Sequence, residues 1–143
     1  MSQDRDRTVT VLVADDDLVS VHVLEATLSK WGYRVITCSD GAQAWERLRR
    51  QDPPEIALLD WRMPGLDGLE VCRRLHRSRE EVLTYVVLLT GSAGIDDITQ
   101  CLDAGAEDYV AKPYVPEELL ARLKVGERRL AQRRHLKQDT PQS

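Results

Sequence analysis

The sequence predicts a doubly wound α/β domain, and three observations lead to it. Short runs of β-branched and aliphatic residues alternate five times with stretches whose apolar residues recur at helical spacing. The short runs are apolar nearly throughout instead of alternating, as strands of a sheet covered on both faces must be. Five strand–helix units within about 120 residues call for parallel strands joined by right-handed crossovers, with helices on both sides. The 143 residues, 42% of them hydrophobic, suit one such domain with a buried core.

Thr8–Ala14 (TVTVLVA) is rich in β-branched residues and ends abruptly in acid, which marks a buried first strand. Val21, Leu24, Leu28 and Trp31 then recur at helical spacing, and Gly32 closes that helix. Tyr33–Thr37 reads as the second strand. Asp40 and Gln43 have the spacing of a capping box, with Ala44, Trp45 and Leu48 as the inner stripe of the second helix. Pro53–Pro54 is expected to break it and deliver the chain to a third strand, Ile56–Asp60. Pro64, Gly65 and Gly68 punctuate the following loop. Asp67 and Glu70 repeat the capping-box spacing ahead of a helix that turns Leu69, Cys72 and Leu75 inward. Tyr85–Thr90 is the fourth strand. Ile95, Ile98 and Leu102 mark a fourth helix stopped at Gly105, and Asp108–Ala111 is a short fifth strand. Pro116 suits the first position of a fifth helix, where its missing N–H costs nothing.

Composition excludes several roles. Twenty Lys and Arg against 24 Asp and Glu give a net charge of −4, which argues against a domain that binds nucleic acid directly. Apolar runs such as Val86–Leu89 fall far short of the roughly 20 residues that span a bilayer. Met1–Arg7 is too polar and charged for a secretory signal and reads as a flexible N-terminus. Cys38, Cys72 and Cys101 are odd in number and form no CxxC pair, so they read as small apolar residues. A cytoplasmic protein with no membrane association is the expectation.

In doubly wound sheets, ligands collect at the carboxyl ends of the strands. There the first strand runs into Asp15-Asp16-Asp17, the third ends in Asp60, the fourth in Thr90, and Lys112 directly follows the fifth. Any one acid in such a place can simply cap the next helix, and Asp17 reads that way. Convergence of all these groups on one edge calls for another account. Two carboxylates 4 Å apart repel by roughly 4 kcal/mol at an effective dielectric of 20. A divalent cation relieves this, and an all-oxygen site prefers a hard ion; Mg²⁺ needs only one or two carboxylates plus a phosphoryl oxygen. With Lys112 as counter-charge and the Thr90 hydroxyl as donor, the set suits phosphoryl transfer, with Asp60 as a nucleophile that forms an aspartyl phosphate.

The segments VLVADDD, IALLDWRMPGLDG, VVLLTGSAG and DYVAKPY, in this order and spacing, resemble the receiver domain of two-component response regulators. The resemblance implies a flavodoxin-like (βα)₅ sandwich with strand order 2-1-3-4-5, an order the family itself exemplifies. It implies that Asp60 is the phosphoacceptor and that Mg²⁺ is bound by Asp15, Asp16, Asp60 and the backbone carbonyl of Arg62. Asp16 would ligate directly and Asp15 mainly through water. By the same resemblance Thr90 and Lys112 bind the phosphoryl group, and Tyr109 is the aromatic whose ring swings inward when Thr90 moves. Arg62 and Ser92, each two residues after a site residue, occupy positions that tune dephosphorylation. The Lys112–Pro113 bond is expected to be cis. Val115 stands where the family often carries a capping Asp, and Tyr114 where Phe is common.

The implied partners are a sensor histidine kinase or phosphotransfer protein, and a second copy of the chain or a C-terminal output domain meeting the fourth helix, fifth strand and fifth helix. Residues 8–125 would form the receiver domain and 126–143 a helical extension or linker ending in a disordered tail. From Arg122 to Lys137 the chain carries Arg122, Lys124, Arg128, Arg129, Arg133, Arg134 and Lys137 against Glu127 alone, which reads as a solvated continuation of the fifth helix. Leu123 and Leu130, one heptad apart, hint at a helical connector. Two other readings use the same residues. A small Mg²⁺-dependent phosphohydrolase would need a second acid two residues after Asp60, where Arg62 stands, and a docking module would need no phosphorylation at all.

Overall fold

The computed structural model describes residues 8–78, 83–91 and 94–139. The flexible N-terminus expected over 1–7, the tail at 140–143 and Ser92 lie outside the described residues. Ten elements alternate: β1 (Thr10–Ala14), α1 (Leu18–Lys30), β2 (Arg34–Cys38), α2 (Gly41–Leu48), β3 (Ile56–Asp60), α3 (Gly68–Ser78), β4 (Tyr85–Thr90), α4 (Ile95–Asp103), β5 (Asp108–Ala111) and α5 (Pro116–Asp139). The strands form one sheet in the order β2-β1-β3-β4-β5, every neighbouring pair parallel. The order reverses between β1 and β3, so the crevice at their carboxyl ends lies where Asp15 and Asp60 emerge.

The period of two along each strand explains why the strands are apolar on both faces. Leu12, Ala14, Ala57, Leu59, Val86 and Leu88 pack with Ala44, Leu48, Leu69, Cys72, Leu75 and Cys101 of α2, α3 and α4. Val11, Val13, Ile56, Leu58, Val87 and Leu89 pack on the opposite side with Leu24 and Leu28 of α1 and Leu119, Leu123 and Leu130 of α5. Trp45 packs half-buried against the first layer and Trp31 against the second. All three cysteines are buried free thiols. Among the described residues no helix is long and apolar enough to cross a membrane.

Several local expectations shift. α2 stops at Leu48, with Arg49 as its C-cap, before the proline pair is reached. Pro53–Pro54 instead shapes the entry to β3, where buried Thr84 donates its hydroxyl to the Pro54 carbonyl. The α4 stripe is rotated from the one expected: Leu102 is 57% exposed, while Cys101 and Ala104 are buried. The small residues Ala104 and Ala106 let this end of the helix settle closely on the core. At α3, Asp67 accepts from the Glu70 amide as a cap should, but Glu70 does not return the bond. Its carboxylate turns instead to two cationic donors, Arg77 at 2.7 Å and Arg74 at 3.4 Å. At α2, Gln43 closes the box one residue early, accepting from Ser39 instead of Asp40.

α5 runs unbroken for 24 residues, and its continuation past Val125 is solvated on one side while Gly126 and Leu130 turn inward. Leu130 is buried in the core, and Gly126 lies so close to the Tyr85 ring that a Cβ there would sit 2.8 Å from a ring carbon. No side chain at Val115 can cap this helix; its carbonyl accepts from the Glu118 and Leu119 amides, and Glu117 and Glu118 set negative charge against the first turn.

Candidate functional site

The acids at the crevice are placed by where the strands stop. Asp15 follows the last residue of β1; its amide donates to the Cys38 carbonyl at 3.2 Å, and its Oδ1 accepts from the Asp17 amide at 3.0 Å. Asp17 is an N-cap, as expected, accepting from the Val19 amide and the Ser20 hydroxyl. The Ser20 bond, with that from Val19, holds its carboxyl below the ordinary range. Asp60 closes β3, and Asp15, Asp16 and Asp60 each offer an oxygen within 4.8 Å of the others. Asp15 and Asp60 are buried, and Asp16 is exposed to solvent.

Lys112 reaches into this cluster from the end of β5. Its Nζ lies 2.9 Å from Asp60 Oδ1 and 3.5 Å from Asp15 Oδ2. Its amide donates to the Thr90 carbonyl at 2.7 Å, which ties the ends of β4 and β5 together beside the acids. The Lys112–Pro113 peptide is cis, as expected. Thr90 is buried at the end of β4. Tyr109 is half-buried on β5 and packs against the first core layer. Arg62 is exposed, its guanidinium carbon 5.9 Å above the ring of buried Trp61. The structure therefore brings Asp15, Asp16, Asp60 and Lys112 together with Thr90 alongside.

Two residues named from the sequence take parts that it did not assign them. Gly68 begins α3 directly against the Asp60 backbone, where a Cβ would come within 2.4 Å of the Asp60 carbonyl oxygen. A glycine eight residues after an acid at a strand end was its only trace. Tyr114, half-buried against the second core layer, has its hydroxyl pKa raised chiefly by burial, partly offset by Lys112.

Burial raises the pKa of Asp60; Lys112 pulls it back, Asp15 pushes it further, and the net result lies above the ordinary value. For Lys112, burial alone would depress the pKa, but the bond to Asp60 and the charges of Asp60 and Asp15 outweigh it and leave it raised. The donor set fits a hard cation. One oxygen from each of the three carboxylates lies within 4.8 Å of the others, near enough for a single cation to draw them together. No nitrogen or sulfur ligand is among them.

A carboxyl with a raised pKa binds more protons folded than unfolded, so its contribution falls as pH climbs from its unfolded value through its folded one. Asp60→Asn is therefore expected to raise the thermal midpoint at neutral pH by about 2–4 °C for each kcal/mol relieved. The gain should shrink at acid pH, as the wild-type carboxyl takes up its proton. Calorimetry at neutral and at acid pH checks both the sign and the trend.

The chain matches the family model described as the response regulator receiver domain over residues 11–124. It is 41% identical over 122 residues to the response regulator MprA of Mycobacterium ulcerans, an alignment covering 85% of this chain and 51% of that protein. The chain thus spans about half the length of the curated relatives it matches. Among solved structures, the response regulator DrrB of Thermotoga maritima, an OmpR/PhoB homologue, superposes with a TM-score of 0.74 at 33% identity, over 86% of this chain and 54% of that one. A CheY-like receiver domain protein from Methanospirillum hungatei superposes with a TM-score of 0.80 over 89% of this chain and 99% of that one; at 24% identity it speaks for the flavodoxin-like fold alone.

Proposed function

This chain belongs to the response regulator receiver domain family, and from that premise we propose that it is a phosphorylation switch whose phosphoacceptor is Asp60. The observation that carries the reading is the Lys112 ammonium held between the Asp60 and Asp15 carboxylates, with Asp16 completing the acidic cluster. A sensor histidine kinase or phosphotransfer protein supplies the group. A carboxylate oxygen of Asp60 attacks phosphorus, the phosphorus–nitrogen bond to the donor imidazole breaks, and the electron pair leaves with that nitrogen. A carboxylate needs no base to activate it at neutral pH.

Mg²⁺ would be held by the carboxylates of Asp15, Asp16 and Asp60 and the Arg62 backbone carbonyl, and it would neutralise charge on the phosphoryl oxygens. Lys112 takes up the remaining negative charge and Thr90 donates to a phosphoryl oxygen. Tyr109 follows Thr90 inward, and the surface formed by α4, β5 and α5 passes to its second state, in which it meets an output domain or a second copy of the chain. Arg62 and Ser92 set the rate at which water reaches the acyl phosphate. The protein catalyses only its own phosphorylation and dephosphorylation, in the cytoplasm. Residues 8–125 act as the receiver unit, and 126–143 connect it onward.

The test is incubation with acetyl phosphate and Mg²⁺. One acid-stable, base-labile phosphoryl group per chain is expected, and none when the metal is chelated. Absence of label with Mg²⁺, or repeated turnover of phosphate esters, would overturn the reading. Trp61 gives a second readout, since it adjoins Asp60 and is buried against the site. In a Trp31→Phe, Trp45→Phe background, beryllofluoride with Mg²⁺ is expected to change its fluorescence, and neither reagent alone should reproduce the full change.

A further inference from the structure

β5 has the site at one end and the grip of α5 at the other. Lys112, directly after the strand, bonds Asp60 at 2.9 Å. At the opposite end two consecutive acids meet two arginines of α5: Asp108 pairs with Arg122 at 3.4 Å, and Glu107 with Arg133 at 3.0 Å. Arg122 and Arg133 are eleven residues apart, about three helical turns, and so share one face of α5. Among the described residues β5 is an edge strand, paired to β4 alone, and at four residues spans about 13 Å. It can therefore shift as a short strut without dragging a second neighbour.

The Glu107–Arg133 pair is built but only half satisfied. Arg133 also lies 6.0 Å over the Tyr85 ring, and the Glu107 amide donates to the Val86 carbonyl, which fixes the acid beside the start of β4. Glu107 Oε1 accepts from Arg133, whereas Oε2 is buried with no hydrogen-bond partner among the described residues. A charge pair in this condition has little to spare, because displacing Arg133 leaves a partly buried carboxylate, its Oε2 already out of contact with solvent, without its counter-charge. Residues beyond Lys124 lie outside the family match, yet Gly126, Leu130 and Arg133 bind this segment to the domain.

We propose that Glu107 and Arg133 form a latch holding the C-terminal half of α5 on the domain, and that phosphorylation at Asp60 loosens it through β5. The inference rests on the receiver reading, since the displacement begins when Lys112 exchanges its bond to Asp60 for one to the phosphoryl group. The latch is closed in the present arrangement, where Lys112 bonds Asp60 directly and Arg133 bonds Glu107 at 3.0 Å; the shift of β5 that the proposal requires is one that draws Glu107 away from Arg133.

The test is amide hydrogen exchange over residues 127–135 of the full chain, with and without beryllofluoride and Mg²⁺, in the Trp31→Phe, Trp45→Phe background (wild type below) so that Trp61 fluorescence is recorded on the same samples. In the wild type, activation is expected to speed exchange there by about tenfold. Glu107→Gln and Arg133→Gln should show the faster exchange already without the reagent and gain less than about twofold on adding it. Unchanged exchange in the wild type alongside a normal Trp61 response would overturn the latch and leave the receiver reading intact. The latch is also overturned if both variants keep the wild-type exchange rate and its full response. A silent Trp61, with no acetyl phosphate label, would remove the receiver reading and the latch with it.

Discussion

Asp60→Ala is expected to take up no phosphoryl group from acetyl phosphate or from a phosphohistidine donor, while its folded structure persists. Three acids share the crevice, so the expectation depends on why the other two should not substitute. Asp15 is buried, and its oxygens are engaged by the Asp17 amide and by Lys112. Asp16 is exposed and lies on the outer side of the cluster, suited to hold a cation and not to be enclosed with a product. Asp60 alone pairs closely with Lys112 at the end of the strand beside Thr90. Intact-mass measurement after incubation checks the prediction, and a label surviving in Asp60→Ala would move the acceptor elsewhere. Asp16→Ala should still be labelled, but about a hundredfold or more slowly, because it removes charge stabilisation without removing the nucleophile. The Asp60→Ala protein should melt no lower than wild type, which separates loss of chemistry from loss of fold.

The second large effect lies in a residue with no side chain. Gly68→Ala places a methyl 2.4 Å from the Asp60 carbonyl oxygen, 3.1 Å from its carbon and 3.3 Å from Leu59 Cβ. All but the last are backbone atoms at the end of a fully buried strand, so neither partner can rotate aside. Either α3 backs away or the end of β3 shifts. Overpacking of this kind costs about 1–3 kcal/mol, of which the better helix propensity of Ala returns at most about 1 kcal/mol. Where the end of β3 gives way Asp60 moves with it, and phosphorylation should then slow by more than stability falls; a misplacement near 1 Å can cost about a hundredfold in rate. Thermal midpoint and acetyl phosphate kinetics on the same sample measure the two parts. Gly91→Ala is the control: a Cβ there meets nothing within 4 Å, and it should behave as wild type within about 0.5 kcal/mol.

The strands and the site acids were legible because their signals are local. Ile56–Asp60, Tyr85–Thr90 and Asp108–Ala111 appear in the structure with the bounds the sequence predicts. Asp15, Asp16, Asp60 and Lys112 sit at strand ends, and a parallel sheet sends all such ends to one edge. The first two strands start one or two residues later than read, because Thr8, Val9 and Tyr33 precede the ladder that β1 and β2 form with each other. Leu102 misled because its position fits a helical stripe, whereas the small residues after it let α4 settle with Cys101 inward. The prolines after α2 misled because a breaker marks the furthest point a helix can reach, not where it stops.

By itself, then, the sequence determined the five-unit sheet, the edge on which its acids gather and the hard-cation character of that edge, since each follows from periodicity and residue type. The tertiary structure alone decided which arginine answers which acid, that Gly68 admits α3 to the back of Asp60, and that the basic stretch after Lys124 packs onto the domain. The physical reason is range. Periodicity is written among neighbours in the chain, whereas an ion pair such as Arg133 with Glu107, or a contact such as Gly126 with Tyr85, exists only once distant elements have packed and water has left the space between them.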